Sequence, residues 1–144
     1  MNYLAATQDE AKTRDRIRGG ECYVAVVNGS VVGTIKLDWP KRHDGTPHYR
    51  LDGVASFHQF AVEPSAQGSG IGSALLDTVE RRAREGGMSE LALDTAETAT
   101  ELIGFYERRG FRFVEHVQWP LAKYRSVVMS KRLVAATRPN ISGD

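Results

Sequence analysis

Residues 57–77 read FHQFAVEPSAQGSGIGSALLD, and the hydrophobic period changes across the glycines. Ahead of them, VASFHQFAV (54–62) predicts a strand. Beyond them, Ile71, Leu75 and Val79, with Ala74 and Ala83, share one helical face, while Asp77, Glu80, Arg81, Arg82 and Arg84 take the other. Gly86-Gly87 ends this helix at 85, and ELALDT (90–95) predicts a second strand. A strand–helix–strand unit of this kind has parallel strands and a right-handed crossover.

The flanking segments pair differently. In 22–37 two β-branched runs surround Asn28-Gly29, which suits a type I′ hairpin turn. Residues 38–53 carry two prolines and read as a long loop. A second helix is expected over 98–109, closed by Gly110 with Arg108 and Arg109 in its last turn, and strands are expected at 111–117 and 125–133. A polar helix is expected over 6–18. The fold class is α/β with a mixed (α+β) sheet, in one domain over 1–137, and the polar tail 138–144 is expected to fray.

Charge and cysteine content narrow the function. A net charge of +1 speaks against a nucleic-acid surface. Cys22 stands alone, so there is no internal disulfide and no cysteine zinc cluster. No apolar run reaches membrane-spanning length and no secretory leader is visible, so a cytoplasmic protein without a membrane partner is expected.

Gly68, Gly70 and Gly72 let the backbone take positive φ and let a ligand approach without meeting a Cβ. Several N–H groups then converge at a helix start, which makes an anion site suited to phosphate. A nucleoside-triphosphatase loop needs Lys-Ser or Lys-Thr after its last glycine; here Ser73-Ala74 follows Gly72. A dinucleotide fingerprint starts directly after its strand; here EPSAQ separates Val62 from Gly68, and Ser73 takes the position of the third glycine.

VEPSAQGSGIGSALL resembles the acyl-coenzyme A loop of the GNAT superfamily of N-acetyltransferases, with Gln67, Gly70 and Gly72 as Q-x-x-G-x-G after Val62-Glu63-Pro64. LALDT followed by LIGFYERRGF is similar to that family's strand, helix and Tyr-x-x-x-Gly-Phe ending, here Tyr106 and Gly110-Phe111. The resemblance covers 22–133 and is strongest over 57–111. It implies the GNAT fold and acetyl-CoA as co-substrate, its diphosphate held by the backbone of Gln67, Gly68, Ser69, Gly70, Ile71, Gly72 and Ser73. It also implies Tyr106 as the acid for the leaving thiolate. Two departures stand out. Ala99 sits where the family often has an asparagine on the pantetheine arm, so a hydroxyl such as that of Thr98 takes over or the contact is lost. Only residues 1–21 precede the first hairpin, so the family's first strand and first helix are expected to be absent or reduced, with a second copy of the chain a candidate to cover the gap.

The chemistry constrains the remaining residues. At neutral pH roughly one alkylamine in a thousand is the free nucleophile, and recovering it costs about 4 kcal/mol without a base or dry pocket. Backbone N–H groups of Phe60, Ala61 and Val62 are natural donors to the oxyanion if a bulge frees them. Alternation puts Ser56, His58 and Phe60 on one face of the strand and Phe57, Gln59 and Ala61 on the other. Some family members use a histidine at the place of His58 as base; Glu63 is the rival, with Asp94 and Glu97 as further cleft acids. His43, His48 and His116 have no metal-ligand spacing, and no metal is expected. Trp39, His43, His48 and Tyr49, with Trp119, Lys123 and Tyr124, either line the acceptor mouth or cover a core edge. The function expected is acetyl transfer from acetyl-CoA to a primary amine, small molecule or peptide. A non-catalytic acyl-CoA-binding module is the alternative.

Overall fold

A computed structural model describes residues 20–40 and 46–133 of the 144. The expected helix at 6–18, His43 and the tail 138–144 lie outside the described residues. Six strands form one sheet: β1 (Gly20–Val27), β2 (Ser30–Asp38), β3 (Val54–Val62), β4 (Glu90–Ala96), β5 (Arg112–Val117) and β6 (Ser126–Arg132), in the order β1-β2-β3-β4-β6-β5. The helices are α1 (Ile71–Glu85) and α2 (Thr100–Arg108), with short 3₁₀ turns at Pro47–Arg50 and Pro64–Ala66. Only β3 and β4 run parallel, as the crossover through α1 requires, and all other neighbours are antiparallel. Asn28 and Gly29 take φ of 51° and 81° and close the β1–β2 hairpin.

The apolar face of α1 lies on the sheet. Ile71, Leu75, Leu76, Val79 and Ala83 are buried in one cluster with Tyr23, Ile35, Leu37, Phe57, Leu91, Leu93, Tyr106 and Met129. Burying side chains of this size stabilises by about 1.5–3 kcal/mol each. A second cluster of Tyr49, Val54, Ala92 and Val128, with Val114, Val117 and Trp119 against it, occupies the other side of the sheet.

Three expectations are corrected. Glu80 is not on the solvent face: it is 6% exposed and faces Lys131 of β6 at 2.9 Å and Arg109 at 3.6 Å. The loop expected over 38–53 begins one residue later, because β2 runs to Asp38, and its turn at Pro47–Arg50 buries Tyr49 to 1%. Simple alternation fails along β3. Pairing with β2 shifts between Thr34 and Lys36, where Gln59 takes φ of 54°. This bulge inserts a residue and turns Phe60 back toward the Phe57 side, their rings 5.8 Å apart. The Thr34 hydroxyl holds it by donating to the Gln59 carbonyl at 3.0 Å.

Candidate active site

The bulge opens the sheet. β3 and β4 pair only from Val54↔Glu90 to Ser56↔Ala92. Beyond that level β3 stays on β2 as far as Val62↔Gly33, and β4 stays on β6 as far as Ala96↔Ser126. The two central strands therefore part while each keeps its outer partner. Glu63 donates its backbone N–H to the Val32 carbonyl at 2.8 Å, so strand alternation turns the N–H and C=O of Val62 away from β2, into the opening. The Val62 carbonyl is taken there by Gln67 Nε2 at 3.0 Å.

At the end of β3 the chain enters the glycine turn. Gly68 and Gly70 have φ of 84° and 86°, a region that L side chains rarely adopt, and a Cβ built on either meets nothing within 4 Å. Ser69 folds its hydroxyl back onto the Ala66 carbonyl. Gly70 caps α1 without a side-chain hydrogen bond, and the first turn holds no acidic residue. The Ala74 N–H is the first to close on the helix, through the Gly70 carbonyl at 3.0 Å, so those of Ile71, Gly72 and Ser73 point out of its start. Ile71 is 2% exposed and offers only its backbone. A cavity of ≈ 280 Å³ lies here, lined by Val62, Gln67, Gly68, Gly70, Gly72, Ser73 and Phe105. Free amide donors, a positive helix end and open space above two glycines fit a diphosphate. Phe60, Ala61 and Thr98 lie at the margins: Phe60 approaches Gly72, Ala61 is exposed, and Thr98 is exposed in the turn ahead of α2, whose N-cap is Ala99.

Tyr106 and His58 flank the opening from opposite sides. The Tyr106 ring rests 5.9 Å from Phe57, the first β3 residue beyond the last β3–β4 pair, on the helical side of the sheet. Tyr106 is 5% exposed, and burial pushes its phenol up to about 12. His58 is on the other side. Its Nε2 lies 2.9 Å from Ser56 Oγ and 3.4 Å from Asp38 Oδ2, and the Tyr49 ring meets it edge-on at 5.6 Å. Glu63 is exposed beyond the end of β3, and Glu97 is engaged by Arg125 at 2.9 Å.

The structure gathers residues that spacing alone did not join. Asp94 accepts the Tyr49 hydroxyl at 2.5 Å and Trp119 Nε1–H at 2.9 Å, on the His58 side. Asp94 was a candidate cleft acid; its partners come from 45 and 25 residues away in the chain. Trp39 lies apart from the opening and stacks under Arg82 at 5.2 Å, covering the core edge. His48 pairs with Glu90 at 2.9 Å. No group of metal-binding side chains occurs among the described residues.

Comparison with known proteins agrees with this geometry. The acetyltransferase (GNAT) family model matches residues 2–111. The chain is 31% identical over 136 residues to S-(2-succino)cysteine N-acetyltransferase of Bacillus subtilis, covering 92% of this chain and 79% of that one. It is 34% identical over 97 residues to human N-acetyltransferase 8B, spanning 65% of this chain and only 39% of the human protein. Among solved structures it is similar to a GNAT family acetyltransferase from Elizabethkingia anophelis with acetyl-CoA bound, at 20% identity, 90% and 88% coverage of the two chains and a TM-score of 0.64. The parted strands, the glycine turn and these likenesses together place the chain in the GNAT acetyltransferase family.

Proposed function

We propose that the protein transfers an acetyl group from acetyl-CoA to a primary amine by direct attack in a ternary complex. The observation that carries this reading is the parting of β3 from β4, with an amide-lined turn at its end and His58 and Tyr106 on its two sides. Acetyl-CoA supplies an activated acyl group as a thioester. Gln67 to Ser73 hold its diphosphate, Phe60 to Val62 border the thioester, and Thr98 lies toward the pantetheine arm. The Val62 N–H faces the opening and stabilises the negative charge developing on the carbonyl oxygen.

The amine nitrogen forms a bond to the acyl carbon as the carbon–sulfur bond breaks. His58 takes the proton lost by nitrogen, with Ser56 and Asp38 fixing its ring; Glu63, exposed beyond β3, is the lesser candidate for that role. Tyr106 donates to the departing sulfur. Burial makes its phenol a weak acid but keeps it protonated at every working pH, so a proton is always present to meet the thiolate charge. An amide and free CoA leave, and both side chains regain their starting protonation.

A free-thiol assay over small amines and peptides, run on the wild type, His58→Ala and Tyr106→Phe, tests the reading. Turnover that falls ~100-fold or more in each variant, with CoA binding kept, is expected. CoA binding with no turnover on any amine supports the acyl-CoA-binding module instead.

A further inference from the structure

Asp94 differs from Asp38 and Glu97, two cation-paired carboxylates near the opening. Asp38 lies 3.4 Å from Lys36 Nζ, and Glu97 lies 2.9 Å from Arg125. Asp94 has no ion pair among the described residues, although it is half-buried. Its two oxygens are held instead by neutral donors, the Tyr49 hydroxyl and the Trp119 indole N–H. Each oxygen keeps a second lone pair. The result is a rigid, partly desolvated negative charge with no counter-ion among the described residues, an arrangement that gains when a cation arrives.

Its position gives that cation a use. Ala92 is the last β4 residue paired with β3, through Ser56. Asp94 is two residues further along β4 and His58 two further along β3, so both side chains leave the same face, at the first open level on that face. The Tyr49 ring bridges them, edge-on to His58 and hydrogen-bonded to Asp94. At neutral pH almost every alkylamine in solution is the ammonium ion, so the form that reaches the site is a cation.

We propose that Asp94, fixed by Tyr49 and Trp119, receives the ammonium group of the acceptor, and so selects charged primary amines over neutral nucleophiles of similar shape. The inference rests on the acetyltransferase reading and names the acceptor class of that same site. Bound there, the nitrogen lies across the opening from His58, which takes one ammonium proton before attack. The second leaves the nitrogen as the amide forms and restores the Tyr106 phenol that has protonated the thiolate, so only His58 returns a proton to solvent.

The test uses the full chain with saturating acetyl-CoA and measures thiol release. Benzylamine, alkylamines, S-substituted cysteines and peptide α-amines serve as charged acceptors, with benzohydrazide as an uncharged nucleophile. Asp94→Asn is expected to raise KM for the best amine ~10–100-fold, more than it lowers kcat, and to cut the preference for charged over uncharged acceptors by a similar factor. Tyr49→Phe, which keeps the aromatic wall and removes one donor, gives a smaller rise in the same direction. An unchanged amine KM in Asp94→Asn overturns the proposal. So does an equal loss with benzohydrazide and amines, since that marks a purely structural role. If Asp94→Asn does not fold, Tyr49→Phe decides by the same preference ratio. Calorimetry with CoA separates the two levels: binding without acetylation of any amine removes the transferase reading, and this proposal with it.

Discussion

Phe111 donates its backbone N–H to the Tyr106 carbonyl at 3.0 Å, and the two rings lie 5.7 Å apart. Gly110 donates to Glu107 at 3.0 Å with φ of 98°. These are the two hydrogen bonds and the apolar contact of a Schellman helix end, and here the contact is made by the proposed acid itself. The spacing Tyr-x-x-x-Gly-Phe is thus a device that stops α2 and seats the phenol against Phe57.

Gly110→Ala should therefore affect both stability and rate. A Cβ at this φ costs roughly 1–2 kcal/mol, and Lys131 Cε stands 3.4 Å from it. The expected outcome is a lower denaturation midpoint and a lower kcat, with KM for acetyl-CoA little changed. Urea unfolding and steady-state kinetics on the same sample check it.

Tyr106→Phe should leave CoA affinity intact and lower kcat ~100-fold or more. The titration is also diagnostic. Burial raises the folded phenol from 10.0 to about 12, so its contribution to stability is fully present below pH 10 and is lost as pH rises through about 12, the unfolded chain ionising first. Phenolate absorbance should show one group fewer titrating near that value in the variant, and stability should fall less steeply above pH 10.

Gly70→Ala puts a methyl group into the open space where the diphosphate is expected, on a backbone at φ of 86°. CoA affinity should drop at least tenfold, with a stability loss of roughly 1–2 kcal/mol. Gly87, also at positive φ with open space around it, ends α1 far from the turn and is the control: Gly87→Ala should lose stability and keep CoA binding.

Glu80→Gln should destabilise the fold by about 2 kcal/mol or more, because Lys131 and Arg109 then face each other without a carboxylate between them. Glu80→Gln paired with Lys131→Met should recover part of that loss. Chemical denaturation of the two variants is the check.

The glycine turn, α1 and the end of α2 are legible in the chain because each is fixed by residues close in sequence. Gly70 meets a φ requirement, Gly110-Phe111 closes the helix four and five residues after Tyr106, and Ile71, Leu75 and Val79 repeat at the helical period. Elsewhere the deciding contacts are distant. Glu80 reads as a surface residue until Lys131, 51 positions later, is brought beside it. Gln59 gives no local warning of a positive φ, since a glycine or asparagine would be the usual sign, and its bulge moves Phe60 to the other side of β3. Asp94 is visible as an acid near the cleft, but its clamp by Tyr49 and Trp119 depends on how two loops cover one face of the sheet.

Calorimetric titration with CoA and, separately, with pantetheine tests the central claim most directly. If main-chain amides of Gln67 to Ser73 carry the diphosphate, CoA binds one to one and pantetheine, which lacks it, binds ~100-fold more weakly or not at all. Equal affinity for the two, or no heat with CoA, contradicts it.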